Sequence, residues 1–141
     1  MRMDPSSGQS AAQWLDSVDV AELSRVLWDY GEERNAKAIA RAIVAARPVR
    51  TTTELVAAVD AATVRPDPRK HVATRVFQAI RIHINQELDE LSAGLDEAFA
   101  QLDAGGRLGV ITFHSLEHAL VRKRFREWVK PTMPRRLPVR G

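Results

Sequence analysis

At 141 residues the chain is long enough for one domain with a buried core, and 45% hydrophobic against 28% charged residues is a globular balance that excludes disorder-scale bias. Zero cysteines exclude disulfides, a thiol nucleophile and Cys-ligated zinc or iron–sulfur sites, and fit a reducing compartment. The net charge of +3 conceals an asymmetry: residues 119–141 hold eight Lys/Arg against one acid, a net +7, which leaves −4 for residues 1–118.

No apolar run is long enough to span a bilayer, and Met1-Arg2-Met3-Asp4-Pro5 lacks the apolar stretch of a signal peptide, so a cytoplasmic protein is expected. Residues 1–9, with Pro5 and Gly8, read as a loop. Ser10 is placed to cap a short helix over 11–16, and Asp19 to cap a second one carrying Leu23, Val26, Leu27 and Tyr30, stopped at Gly31. Residues 32–47 form a third, with Ala36, Ile39, Ala40 and Ile43 on one face and Pro48 ending it. A fourth begins at Thr51, with Glu54 supporting its first turn and Leu55, Val56, Val59 and Ala62 as apolar positions. Residues 64–69 contain Pro66 and Pro68, cannot be helical inside, and link this small helical cluster to a longer helical segment.

Residues 70–102 carry one long helical pattern, with Phe77, Ile80, Ile84, Leu88, Leu91, Leu95, Phe99 and Leu102 on a single face. A second stripe, Thr74, Gln78, Arg81 and Asn85, lies about 100° round the helix. It is polar without being simply charged, unlike the later Glu87, Asp89, Glu90, Asp96 and Glu97. Two readings stand for it: a binding surface, or hydrogen bonds that cap neighbouring elements.

Beyond Leu102 the character changes. Asp103-Ala104-Gly105-Gly106 is a tight turn, residues 107–113 read as a buried strand, and a helix runs from Ser115, its expected N-cap, to about Val129. One strand cannot satisfy its own edges, so the residues describe a piece of a larger α/β protein: a helical module plus one helix–strand–helix unit. Arg122, Lys123, Arg124 and Arg126, with Lys130, Arg135, Arg136 and Arg140 beyond them, would attract phosphates, or form a solvated helix end and tail. His71 and His83 have no partner at metal-ligand spacing, so no metal is expected.

Three blocks in order, Trp28-Asp29-Tyr30-Gly31-Glu32-Glu33-Arg34, then His71-Val72-Ala73-Thr74-Arg75-Val76-Phe77-Gln78-Ala79-Ile80-Arg81-Ile82, then Gly105-Gly106-Arg107-Leu108 running to Phe113-His114-Ser115-Leu116-Glu117, resemble the ribosomal RNA small subunit methyltransferase H family. The opening Met-Arg-Met-Asp-Pro resembles an internal stretch of that family, which implies an N-terminally truncated fragment. Val72, Asn35, Ala104 and the His118-Ala119 pair depart from the family pattern.

The resemblance implies S-adenosylmethionine-dependent methylation of the N4 amino group of a cytosine in 16S rRNA, with the small ribosomal subunit as partner. It also implies a mostly helical α/β fragment of a Rossmann-like methyltransferase. In it, residues 1–9 would be a loop from the missing catalytic half and 10–86 a helical inserted substrate-recognition domain. Residues 87–129 would be the late part of the sheet domain and 130–141 a basic, Pro-rich tail. No G-x-G pattern occurs in the chain, so the cofactor loop would lie upstream of Met1. Of the reaction's needs, the hold on an unstacked base remains, with Phe113, His114 and Ser115 available for it. Thr74, Arg75, Gln78, Arg81, Asn85, Phe113, His114, Arg122, Lys123 and Arg126 are the candidate RNA contacts, and His114 and Ser115 the only catalytic candidates. Each has a plainer reading: Phe113 as core, His114 as a structural histidine, Ser115 as a cap, and Arg75 and Arg81 in salt bridges to Glu32 or Glu33. A free-standing helical module that binds RNA or protein without catalysis is the alternative.

Overall fold

The computed structural model describes residues 1–4, 6, 8–63 and 71–129. The Pro66/Pro68 linker, the helix start at Lys70 and the basic tail 130–141 lie outside the described residues. Seven helices are described: α1 (Ala11–Ser17), α2 (Val20–Gly31), α3 (Ala36–Ala45), α4 (Thr52–Ala62), α5 (Thr74–Asn85), α6 (Glu87–Ala100) and α7 (Ser115–Val129). The chain divides into two compact units, residues 1–87 and residues 88–141.

Local capping chemistry starts the helices of the first unit. Ser10 Oγ accepts from the Gln13 N–H while the Gln13 side chain accepts from the Ser10 N–H, a capping box at α1. Asp19 accepts from the Glu22 N–H at α2, and Thr51 with Glu54 closes a second capping box at α4. The Arg50 and Thr51 N–H groups both donate to the Glu54 carboxylate, and this lowers its pKa below the usual value of 4.5. The third helix is shorter than the pattern over 32–47 predicts. Glu32 adopts left-handed geometry with φ 50°, donates to the Leu27 and Trp28 carbonyls, and so ends α2; α3 starts only at Ala36. Between them the buried Glu33 carboxylate accepts from the Asn35 N–H at 2.9 Å, and the Asn35 side chain makes no cap bond to α3.

These helices close a core of Leu15, Leu23, Leu27, Ile39, Ile43, Leu55, Val59, Val76 and Ile80, each almost fully buried. Each such side chain contributes on the order of 1.5–3 kcal/mol of transfer free energy. α2 packs on α5 and α3, and α3 on α4. The buried line of α5 runs through Ala73, Val76, Ala79 and Ile80, with Phe77 and Ile84 half-buried at its margin. The apolar face is thus rotated towards small residues relative to the expected Phe77/Ile80/Ile84 line, because α2 comes too close for large ones.

The single helix expected over 70–102 is two helices. Gln86 takes φ 50°, donating to the Ile82 and His83 carbonyls, and the chain turns there into α6. Nothing in the periodicity marks this break. Side-chain partners around it do: Arg81 grips Glu87 across the turn, and the Asn85 amide is committed to the N-terminal segment.

In the second unit, α6 and α7 are tied by stacking of Phe99 on Trp128, with centroids 4.3 Å apart, and by Arg124, which bonds Ser92 Oγ at 2.7 Å and Asp96 at 3.0 Å. Leu95 is the one residue of these two helices that is buried. The strand expected at 107–113 is not formed: no β-strand occurs among the described residues. A ladder needs a second strand, and no described segment supplies one. Ile111 and Phe113 are 84% and 91% exposed, so the segment read as buried lies open.

Candidate functional site

On α5 the polar stripe is engaged from within the first unit. Gln78 Nε2 donates to the Tyr30 carbonyl at 3.0 Å, fastening α5 to the C-terminal end of α2. Arg81 donates through Nε and Nη2 to the two Glu87 carboxylate oxygens at 2.8 and 3.0 Å, a bidentate pair. Arg75 lies 3.9 Å from Glu33, an acid the sequence offered beside Glu32. Asn85 does most: its Nδ2 donates to the Met1 and Arg81 carbonyls at 2.9 and 2.8 Å, and its Oδ1 accepts from the Met3 N–H at 2.7 Å. Thr74 is exposed at the start of α5.

Two features of this unit went unread in the sequence. Gly31 is the last residue of α2, as expected, and it is also a close approach of α2 to α5: a Cβ there would sit 2.7 Å from the Arg75 carbonyl oxygen. His83, set aside as a metal ligand, packs against Trp14 at 4.4 Å and stacks on Tyr30 at 6.4 Å between ring centroids. Burial pushes its pKa below 6.5, with Arg25 acting in the same direction and Glu22 against it. A histidine at helical spacing from core residues is the only signal the sequence held for this.

The second unit carries the other candidates. Ser115 is the first helical residue of α7 rather than its cap; His114 holds the cap position. The His114 Nδ1 accepts from the Glu117 N–H at 3.4 Å, and Glu117 Oε2 accepts from the Phe113 and His114 N–H groups at 2.7 and 3.3 Å. This reciprocal arrangement is a capping box with imidazole in place of a hydroxyl. With Nδ1 accepting, a neutral His114 carries its proton on Nε2, which is buried without a hydrogen-bond partner, 3.5 Å from Glu117 Oε1. Phe113, next to it in the chain, is almost fully exposed, so an open aromatic ring stands at the start of α7 while the imidazole is turned inward. Further along, Arg122, Lys123 and Arg126 are exposed, whereas Arg124 is turned to α6. Phe99, Leu102, Leu108, Phe125, Trp128 and Val129 line an apolar hollow of about 190 Å³. The α5 and α7 candidates therefore belong to separate units.

Among the described residues no group of three His, Asp or Glu side chains could hold a metal ion, and no helix is long and apolar enough to cross a membrane. The Gly105-Gly106 turn, closed by the Gly106 N–H to Asp103 carbonyl bond, comes after a helix and leads into open chain, whereas nucleoside cofactor sites are built where a strand meets a helix N-terminus.

Known proteins resemble this chain over almost all of it. A sequence profile of the MraW methylase family matches residues 1–141. Proteins named ribosomal RNA small subunit methyltransferase H are 54% identical in Xanthomonas oryzae pv. oryzae and 53% identical in Xanthomonas axonopodis pv. citri and Stenotrophomonas maltophilia. Each alignment takes in 98% of this chain but only 42–44% of the relative's length. With a profile match over residues 1–141 and relatives 53–54% identical over nearly its whole length, the chain belongs to the MraW methylase family.

Proposed function

We propose that this chain is a segment of an S-adenosylmethionine-dependent methyltransferase acting on the N4 amino group of a cytosine in the 16S rRNA of the small ribosomal subunit, in the cytoplasm. The observation that carries the proposal is the 53–54% identity over 98% of the chain to enzymes named for small-subunit rRNA methylation. In this reading residues 10–86 are a helical recognition domain inserted into a Rossmann-like catalytic domain, and residues 87–129 are part of that catalytic domain. The Asn85 bonds support it: they hold the two ends of the first unit, Met1–Met3 and the end of α5, against each other. An inserted domain must leave its host close to where it enters.

The donor would supply the methyl group. This chain's own residues supply contacts to the RNA, drawn from Thr74, Arg75, Gln78, Arg81, Asn85, Phe113, His114, Arg122, Lys123 and Arg126. Phe113 offers a stacking face for an unstacked base, and His114 and Ser115 are the other candidates near the chemistry. In this reading the donor is held by another part of the enzyme, and the chain alone is inactive. A second reading, a helical module that binds RNA or protein without catalysis, is favoured by one observation: the first unit closes its core with its own residues.

Calorimetric titration with S-adenosylmethionine, then with a 16S rRNA hairpin, tests the proposal. The expected result is heat from the RNA alone, declining as salt is raised. Stoichiometric binding of the donor would overturn the assignment of the chain as catalytically incomplete, and absence of RNA binding would overturn its role in recognition.

A further inference from the structure

The cationic side chains of this chain differ in what already holds them. On α5, Arg75 faces Glu33 and Arg81 is bound bidentately by Glu87. On α7, Arg122, Lys123 and Arg126 meet no carboxylate among the described residues, and with His118, Ala119 and Glu127 they line one open groove. The rotation of α7 produces this difference. At 100° per residue, His118, Arg122, Arg126, Ala119 and Lys123 cover an arc of about 140°. Leu120, Val121, Arg124 and Trp128 occupy the opposite side. That side is fastened to α6 through Arg124, bonded to Asp96 and Ser92, and through the stack of Trp128 on Phe99. Glu127, the sole acid between His118 and Val129, lies 3.5 Å from Arg124 Nη1, the guanidinium that also holds Asp96.

Three positive charges therefore share one exposed groove against a single acid, Glu127, which is paired with Arg124. Ala119, small and central to the arc, leaves room for a backbone to come close. The sequence extends the same sign of charge through Lys130, Arg135, Arg136 and Arg140. Resting on the reading of RNA as the substrate, we infer that the His118/Arg122/Lys123/Arg126 face of α7 is the main surface that holds the RNA phosphate backbone. Guanidinium and ammonium groups free of carboxylates exchange condensed counterions for phosphates, whereas a paired Arg must first give up its partner.

The test is fluorescence anisotropy of the 141-residue chain with a labelled single-stranded 16S rRNA segment across a salt series. Arg122→Ala/Lys123→Ala/Arg126→Ala is compared with a control, Arg25→Gln/Arg41→Gln, which removes two exposed cations of the first unit, and circular dichroism verifies that both variants keep the wild-type helix content. Each lost phosphate contact removes about 0.7 from the slope of log K against log salt, so the α7 variant should flatten the slope by about 2 and the control should leave it unchanged. An unchanged slope in the α7 variant, with the wild-type chain still binding RNA, overturns the inference and leaves the proposed function standing. No salt-dependent binding by the wild-type chain overturns both.

Discussion

His83 shows how a single titratable residue couples the helical unit to pH. Its imidazole lies against Trp14 and Tyr30, and burial lowers its pKa below 6.5. Below that value the unfolded chain binds a proton that the folded unit resists, so stability falls as the pH drops from 6.5 through the lower folded-state value, and is unaffected above. Thermal unfolding should show the midpoint decreasing between about pH 7 and about pH 5, and a His83→Phe variant should lose part of that decrease. An identical pH profile in the variant would remove His83 as the cause. Glu54 works in the same direction at lower pH: with its pKa lowered by the Arg50 and Thr51 N–H bonds, its contribution is present above 4.5 and lost as the pH falls through the folded value. Both residues were visible in the sequence, but only Glu54 was legible there, because a capping box is a device of a few neighbouring residues. The setting of His83 is made by α1 and α2, distant in sequence.

At the scale of elements, the contact of α2 with α5 organises the first unit. Gly31 allows it, and its replacement by Ala would place a methyl 2.7 Å from the Arg75 carbonyl oxygen and 3.2 Å from the Ala79 Cβ. Ala improves helix propensity by up to about 1 kcal/mol over Gly. Forcing the helices apart costs about 1–3 kcal/mol, and the obstructing atom is backbone, so the clash wins. Urea unfolding of Gly31→Ala should show a lower midpoint with unchanged slope; a raised midpoint would mean that α2 and α5 part without cost. The same contact accounts for the rotated face of α5, where Ala73, Val76 and Ala79 are buried and Phe77 only in part. Helical period identified α5 as amphipathic. It could not choose between adjacent stripes, since that choice depends on how near the partner helix comes. The break at Gln86 was hidden for a related reason: it arises from Arg81, Asn85 and Glu87 finding partners around a turn, not from a breaking residue.

For the whole molecule, the two units differ in how well they bury themselves. The first closes a core with five helices, while α6 and α7 bury Leu95 alone and leave Phe99, Ile111, Phe113 and Val129 exposed. One buried side chain among the described residues of the second unit does not offset the conformational entropy of ordering them. Hydrogen exchange should therefore find protected amides in α2, α3 and α5 and rapid exchange in α6 and α7, and the open apolar segment at 107–113 should promote self-association. Equal protection of α2 and α7 in a monomer would contradict this.

What the sequence determined by itself was local or cumulative: the caps at Ser10, Asp19, Thr51 and Glu54, the helical identity of most segments, the basic C-terminal end, and family membership through three ordered blocks. Such features depend on neighbours within a few residues, or on residue identity alone. Only the tertiary structure decided which polar residues are committed to the fold. It paired Arg81 with Glu87, bound Asn85 to Met1 and Met3, set His114 rather than Ser115 at the head of α7, and left Arg122, Lys123 and Arg126 facing outward. An isolated chain pattern records that a side chain is polar. Whether that polarity is satisfied within the protein depends on distances between segments that only packing brings together.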